Sequence, residues 1–454
     1  MHLFYSKKSL EYQDLMPTLH MSYNGFCGRP YGENVGNIKT VTFQITEDCN
    51  LCCTYCYQIN KAKNKMSFET AKKFIDLLIE DSYKDNTYFS LNETEGIIIE
   101  FIGGEPLLEI ELMDQITDYF RNQLILLKHP WCKYFKISMI SNGVLYFTEE
   151  FQKYLKKNRE ILSFGISLDG CKELHDACRV FNNGAGSYDI AVKGCMDYMN
   201  RYDPDMSTKM TFAPENLSYA YDAIVNLISL GYKIIQCNPI YEDKWKPEHA
   251  KLYYQQLKKI ADYILDNDLY NEIFIRAFEQ NICVPVDIIH DNKNYCGSTG
   301  HMLALDYKGD IYPCVRFMKS SLGDSVEPFK IGDVENGINI TMPDKNRVNL
   351  LDSITLTSQS DNECISCPIG QGCGWCTAYN YQVTGTPNKR VKSICGMHKA
   401  RALANVYYWN SVYKKGNFDN DPFPMNVPKE WALEIIDEEE YNMLLELTKF
   451  RDNE

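Results

Sequence analysis

The most constraining feature of this chain is where its cysteines lie. There are 18 in 454 residues; four crowd into residues 49–56 and seven more lie between 296 and 395. The other seven, Cys27, Cys132, Cys171, Cys178, Cys195, Cys237 and Cys283, are scattered singly and read mostly as small buried hydrophobes. The N-terminus, MHLFYSKKSLEYQDL, carries no apolar signal-peptide core, and no apolar run reaches the roughly 18 residues that span a bilayer. A cytoplasmic protein with no membrane partner is therefore expected. In a reducing compartment, dense cysteines point to metal binding or catalysis rather than disulfides.

Composition supports an ordinary globular chain, with 44% hydrophobic and 24% charged residues. A net charge of −14 argues against nucleic acid as partner, since that affinity rests on cations neutralising phosphate. Strand-like and helix-like segments alternate from residue 40 to about 285. Strands are expected at 40–46, 96–102, 136–141, 162–168, 207–212 and 232–238. Helices are expected at 67–83, 109–128, 148–158, 187–202, 217–230 and 247–267. This order implies βαβ units and a parallel sheet, closed or partly closed into a barrel whose catalytic groups gather at the C-terminal strand ends. Cys49, the GGEP of 103–106, the SNG of 141–143 and the DG of 169–170 all fall at such ends. After residue 285 periodicity fades while Gly, Asn, Pro and Cys accumulate, which predicts a small domain built around metal. A helix at 398–413 is the clearest element of the tail.

The first cluster reads Cys49-Asn-Leu-Cys-Cys53-Thr-Tyr-Cys56. Parsed as two abutting CxxC pairs it would be a poor zinc site, because zinc knuckles are separated by about a dozen residues or more. Parsed as C-x3-C-x2-C it offers three thiolates to a 4Fe–4S cluster and leaves one iron open to a small molecule, with Cys52 as a bystander.

With Tyr55 as the aromatic before the last cysteine, this motif after a first barrel strand resembles the signature of radical S-adenosylmethionine (SAM) enzymes. The resemblance implies a partial (β/α)6 TIM-type barrel in an α/β fold. It also implies SAM bound to the open iron of a cluster on Cys49, Cys53 and Cys56, and reductive cleavage to a 5′-deoxyadenosyl radical that takes hydrogen from substrate. Glu105, with Gly103 and Gly104, matches the motif that meets the methionyl amine. Ser141, Asn142, Ser167 and Asp169 resemble positions that contact ribose and methionine. Arg179 resembles an arginine that pairs with the SAM carboxylate.

The second set runs Cys296-x12-Gly309-x4-Cys314, then Cys364-x2-Cys367-x5-Cys373-x2-Cys376, then Cys395. It resembles the SPASM domain of radical SAM peptide maturases, which holds two auxiliary 4Fe–4S clusters, although the last spacing is x2 rather than the usual x3. The resemblance implies an outer cluster on Cys364, Cys367, Cys373 and Cys395 and an inner one on Cys296, Cys314 and Cys376. The eighth position is then open to a substrate thiolate or filled by another group, for which His290 stands at a plausible distance in sequence. Zinc remains the alternative for the CxxC-x5-CxxC run taken alone.

TEDCNLCCTYCY, FIGGEPLLEI, GSYDI and ICGMHKAR resemble maturases of ribosomal peptides with CXXX-type repeats. This implies sulfur-to-carbon thioether formation in a Cys-containing precursor peptide, with a ferredoxin- or flavodoxin-type electron donor. Three alternatives are weighed. Anaerobic sulfatase maturases oxidise a Cys or Ser, but typically carry Asp directly after the second SPASM cysteine, where Val315 and then Arg316 stand here. Carbon–carbon linking or epimerising maturases share the layout. An iron–sulfur electron-transfer or scaffold protein would have no need of GGEP or Arg179. The expected division is an N-terminal segment (1–39), a barrel (40–285), an auxiliary-cluster domain (286–410) and a tail (411–454). With 48 residues before Cys49, no winged-helix leader-binding domain is expected. The Tyr-rich N-terminal segment is expected to aid leader recognition or to cap the barrel.

Overall fold

The computed structural model describes residues 38–85, 87–242, 245–290, 292–338 and 351–451. Of the N-terminal segment (1–39) read above as a leader contact or barrel cap, residues 1–37, including Cys27, lie outside them, and residues 38 and 39 begin the first strand.

Four strands, β1 (Ile38–Thr46), β2 (Gly96–Gly103), β3 (Phe135–Ser141) and β4 (Leu162–Ile166), form successive parallel pairs. The connecting helices are α1 (Phe68–Ser82), α2 (Ile110–Leu126) and α3 (Glu149–Asn158). Two short helical crossovers, α4 (Lys172–Cys178) and α5 (Tyr188–Arg201), lead to β5 (Thr208–Phe212). α6 (Ala220–Ser229) then leads to β6 (Ile234–Pro239), parallel to β5. After α7 (Pro247–Asp266), the two-residue β7 (Phe274–Ile275) pairs with β6. The result is a mixed α/β fold with a parallel, partial barrel, as the alternation predicts. Only α4 and β7 escape the periodicity, because seven and two residues carry too little pattern.

β5, β6 and β7 form a separate ladder from the sheet that contains β1 to β4. The seam between β4 and β5 is closed by side chains: Thr208 Oγ1 donates to Leu168 O at 3.1 Å, and Thr211 N donates to Asp169 Oδ1 at 3.1 Å. On the other edge, β8 (Met302–Leu305) pairs in parallel with β1, followed by the antiparallel β9 (Asp310–Tyr312). The chain just after Cys296 thus joins the barrel's own sheet.

β1 shows how the barrel is built. Val41, Phe43 and Ile45 are wholly buried, and the Phe43 ring meets Phe74 of α1 at 5.5 Å and Phe101 of β2 at 6.1 Å. Each such side chain contributes about 1.5–3 kcal/mol by leaving water. Thr40, Thr42, Gln44 and Thr46 alternate with them and are equally buried, but face the barrel interior. Buried polar groups must be hydrogen-bonded, and two of these find distant partners. Thr42 Oγ1 donates to Glu100 Oε2 at 2.6 Å and Gln44 Nε2 to Ser320 Oγ at 2.9 Å. The interior face of β1 is therefore polar rather than oily.

Beyond the barrel, regular structure is sparse until α8 (Thr377–Thr384) and α9 (Cys395–Gly416). α9 buries residues on all its faces, including Leu403, Val406, Trp409 and Tyr413, and packs along α7. Among the described residues no helix is long and apolar enough to cross a membrane.

Candidate active site

The first cysteine loop is shaped by its neighbours. Gly104 N donates to Thr46 O at 3.0 Å and Glu105 N to Asp48 O at 2.9 Å, so GGE extends alongside the loop. A Cβ on Gly104 would lie 2.2 Å from Asp48 O and 2.8 Å from Cys49 Cβ, which explains the glycine. On the opposite side, Cys52 N donates to Val180 O (2.7 Å) and Thr54 N to Cys178 O (3.0 Å), tying the loop to the end of α4. Cys52 itself points outward, its Sγ 2.6 Å from Asn182 Oδ1, consistent with a bystander. Cys49, Cys53 and Cys56 are half-buried.

Glu105 is 1% exposed and its carboxylate is held by three donors. Oε1 accepts from Leu107 N at 3.1 Å and Ser141 Oγ at 2.8 Å, and Oε2 from Asn142 N at 2.8 Å. Burial pushes its pKa up while these donors pull it back. Ser141 in turn accepts from Gly143 N, and Ser167 N donates to Ser141 O at 2.9 Å. Asn142 Nδ2 donates to Asn50 Oδ1 at 2.6 Å and lies 3.9 Å from Cys49 Sγ. Glu105, Ser141, Asn142 and Ser167 are thus one lattice at adjacent strand ends.

A second lattice adjoins it. Asp169, wholly buried, accepts from the Tyr55 hydroxyl and from Arg179 Nε at 2.7 Å, and the Arg179 guanidinium lies 5.4 Å from the Tyr55 ring centroid. His175 organises this group: its Nδ1 accepts from Asp169 N at 3.4 Å, and its Nε2 meets Ser187 Oγ, which donates to Arg179 O. Burial lowers the His175 pKa to about 4, so the ring is neutral. Arg179, expected to meet a carboxylate of SAM, here pairs with the chain's own Asp169.

The donor set fits a metal cluster. Burial pushes the Cys49 thiol up to about 11 and raises that of Cys53; a bound metal would ionise both. Positive charge stands ready for the thiolates. Burial alone would lower the Lys61 pKa, but Cys56, Cys49 and Cys53 together raise it, and Arg179 acts on Cys53. Among the described residues no three His, Cys, Asp or Glu side chains are grouped to hold one metal ion. Separate irons of a cubane do not require such convergence.

The C-terminal thiols fall into two groups. Cys373 is raised by burial to about 11, with Cys395, Cys367 and Cys364 adding to the rise and Arg390 opposing it. Cys376, three residues on, is raised by burial and by Cys296, and lowered by Arg316. Cys296 Sγ lies 3.2 Å from Thr377 Oγ1, beside Cys376. Cys314, buried, stands two residues before Arg316. Three thiols therefore act on Cys373, which with Cys367 also acts on the buried Cys283, while Cys296 and Arg316 act on Cys376. His290 does not join them; it is exposed and pairs with Asp287 through Nδ1 at 2.7 Å. Several neighbours were not read from sequence. Tyr57 lies under the Arg316 guanidinium, 4.9 Å from its ring centroid, and Arg316 pairs with Glu242. Nothing in their spacing announces Lys61, Tyr57 or Glu242. Glu100 had a signal, being the one charge inside the apolar run GIIIEFI.

The sequence model of the Radical SAM superfamily matches residues 43–224, which contain both lattices and the first cysteine loop. An uncharacterized protein of Methanocaldococcus jannaschii is 30% identical, the match covering 62% of this chain and 86% of that protein. The chain belongs to the radical SAM superfamily, and it is an enzyme of that class. The cysteine-type anaerobic sulfatase-maturating enzyme of Clostridium perfringens is 28% identical over 59% of this chain and 71% of its own length. In fold, the structure of native anSMEcpe with bound AdoMet and Cp18Cys peptide superposes with a TM-score of 0.57 at 17% identity, covering 84% of this chain and 99% of that one.

Proposed function

We propose that this enzyme installs sulfur-to-carbon thioether links in a Cys-containing precursor peptide, with a ferredoxin- or flavodoxin-type protein as electron donor. What supports the reading is that Cys395, Cys367 and Cys364 act electrostatically on Cys373, while Cys296 acts on Cys376 beside Arg316. An inner cluster held by Cys296, Cys314 and Cys376 would keep one iron for a substrate thiolate, whereas the outer quartet Cys364, Cys367, Cys373 and Cys395 would be closed. At the barrel mouth, Cys49, Cys53 and Cys56 would hold the third cluster. Glu105, Ser141, Asn142, Ser167, Asp169, Arg179, Tyr55 and the Gly103–Gly104 backbone would hold SAM. When bound, SAM and its cluster supply a one-electron oxidant that removes hydrogen from an unactivated carbon.

The chain's own residues prepare that chemistry. Glu105 is immobilised by three donors, so it can accept from a ligand ammonium without reorganising. Asp169 holds Arg179 and Tyr55 over the cysteine loop, and His175 fixes Asp169 from behind. The polar interior face of β1, joined by Glu100 of β2, can meet a peptide's polar groups while the surrounding helices exclude bulk water.

Oxidation of a Cys in a target protein is the second reading, and the similarity to the Clostridium perfringens enzyme favours it. Against it, the position after Cys314 is the buried Val315, which offers no carboxylate. Mass spectrometry of a Cys-containing precursor peptide after anaerobic reaction separates the two. Retained sulfur with loss of the free thiol is expected. Loss of sulfur would install the second reading. Iron analysis accompanies it: about twelve irons per chain, with about four lost in Cys53→Ala and about four in Cys367→Ala.

A further inference from the structure

Glu100 has no role in the site described so far. It lies in the middle of β2, in register with Thr42 of β1, and is 4% exposed. Its strand neighbour Phe101 faces Phe43 on the helix side of the sheet, so Glu100 points into the barrel. Buried carboxylates are costly unless strongly paired, and among the described residues all the others except Glu47, which has a single amide donor, are. Glu105 has three donors, Asp169 has Arg179, Glu279 has Arg401 at 3.2 Å, Asp306 has two backbone donors at 2.9 and 3.0 Å, and Glu47 has Asn64 at 2.8 Å. Glu100 has one neutral hydroxyl, that of Thr42.

Its surroundings include groups near both cysteine sets. The Tyr57 phenol is buried, and the charges acting on it come from Cys56, Arg316, Glu100 and Cys314. Gln44, the next interior position of β1, bonds Ser320 in the segment after Cys314. The charge of Lys209 on β5 also acts on the Glu100 carboxyl.

We propose that Glu100 is the proton acceptor for the thiol of the substrate peptide inside the barrel, a role that rests on the reading of a Cys-containing substrate. In that step the substrate S–H bond breaks, the proton passes to a Glu100 carboxylate oxygen, and the electron pair stays on sulfur. Thioether formation and thiol oxidation both require this loss of a proton, so the assignment holds for either product. Burial pushes the Glu100 carboxyl up to about 7, with Thr42 and Lys209 pulling it down. That matches a base to an ordinary thiol near 8.5 far better than a free glutamate would.

The test uses the reconstituted holoenzyme and a Cys-containing precursor peptide, with product followed by mass spectrometry from pH 6 to 9. Glu100→Gln keeps the acceptor for Thr42 but cannot take a proton. It should retain its iron, lose about a hundredfold in product rate at pH 7, and regain about tenfold per pH unit up to about 8.5, where the thiol ionises unaided. Thr42→Val removes a donor that favours the Glu100 anion, and should move the acid limb of the wild-type profile to higher pH. Wild-type rates in Glu100→Gln, or an unmoved limb in Thr42→Val, would overturn the assignment. A wild-type enzyme that alters no Cys-containing peptide at sulfur would instead overturn the proposed function, and this role with it.

Discussion

The barrel mouth and the C-terminal cysteine region both gather thiols, but they hold them differently. At the mouth, Cys49, Cys53 and Cys56 sit on a loop whose backbone is hydrogen-bonded to β1, to the start of GGEP and to the end of α4. Glu105 and Asp169 then lock the surrounding side chains. The positions of those groups follow from protein–protein contacts alone. Around Cys364–Cys376 the chain makes short helices and turns, tied to distant segments by Cys283 N to Gln371 O and Gln371 N to Val284 O, both 2.9 Å, by Trp375 Nε1 to Asn294 Oδ1 at 3.2 Å and by Arg390 to Cys373 O at 3.0 Å. The first site sits at the ends of regular parallel strands, whereas the second is built from short helices and turns, so a metal bound at the second would add more to local order than one bound at the first.

Iron removal gives the largest expected difference. Metal binding in a region with little core of its own is folding free energy. Chelation should therefore abolish hydrogen-exchange protection across 360–395 while β1 to β4 keep theirs. Loss of protection in both regions together would show that the contrast is wrong. Cys53→Ala and Cys367→Ala sharpen it, since the first should leave proteolytic resistance intact and the second should expose the C-terminal region to cleavage.

This contrast also explains what was legible in the sequence. Alternation in TVTFQIT and GIIIEFI placed the strands, and the strand-end positions of Cys49, Glu105, Ser141 and Asp169 placed the mouth. The polar interior of β1, with Thr42 and Gln44, and the buried Glu100 of β2 were not read from that alternation. What stayed hidden depends on long-range closure. Asp169 binds Thr211 because the β4–β5 seam leaves that N–H without a ladder partner, and no local pattern encodes a seam. Tyr57, Arg316 and Glu242 come together from three distant segments. His290 failed as a candidate because distance along the chain says nothing of direction, and Asp287 already holds it at the surface.

Within the barrel, the Asp169–Arg179 pair is the place where preorganisation should show its cost. Asp169→Asn leaves a buried guanidinium without its anion and should lower stability by about 3 kcal/mol, read as a shift in denaturant midpoint. An equal loss in SAM affinity alone, with the midpoint unmoved, would make the pair a ligand site rather than part of the scaffold.

Each region also contains a buried neutral histidine, which gives a smaller, pH-dependent comparison. Burial lowers His175 to about 4 and His398 to about 3, the latter against Ile369 O. Their folded pKa values lie below the ordinary 6.5, so the unfolded state takes up protons first as pH falls. Stability is full above about 6.5 and is lost toward pH 4 for His175 and pH 3 for His398, by about 1.4 kcal/mol per pH unit for each ring. His175→Gln should flatten the slope of barrel unfolding between pH 6.5 and 5. An unchanged slope would mean that another group carries it.

The smallest effect is expected where the tail rests on the barrel. Glu440 accepts from Lys258 Nζ at 2.7 and 2.9 Å and from the Tyr254 hydroxyl at 2.5 Å, fastening the C-terminal helix to α7. The pair is partly exposed, with side chains 29% and 22% accessible, so water and salt screen it. Glu440→Gln keeps an acceptor for Tyr254 and loses only the charge, which should cost less than about 1 kcal/mol. The loss should shrink further in high salt. A larger, salt-insensitive loss would mean that the tail is part of the barrel's cooperative unit, so the fold-organised region would extend well past α7.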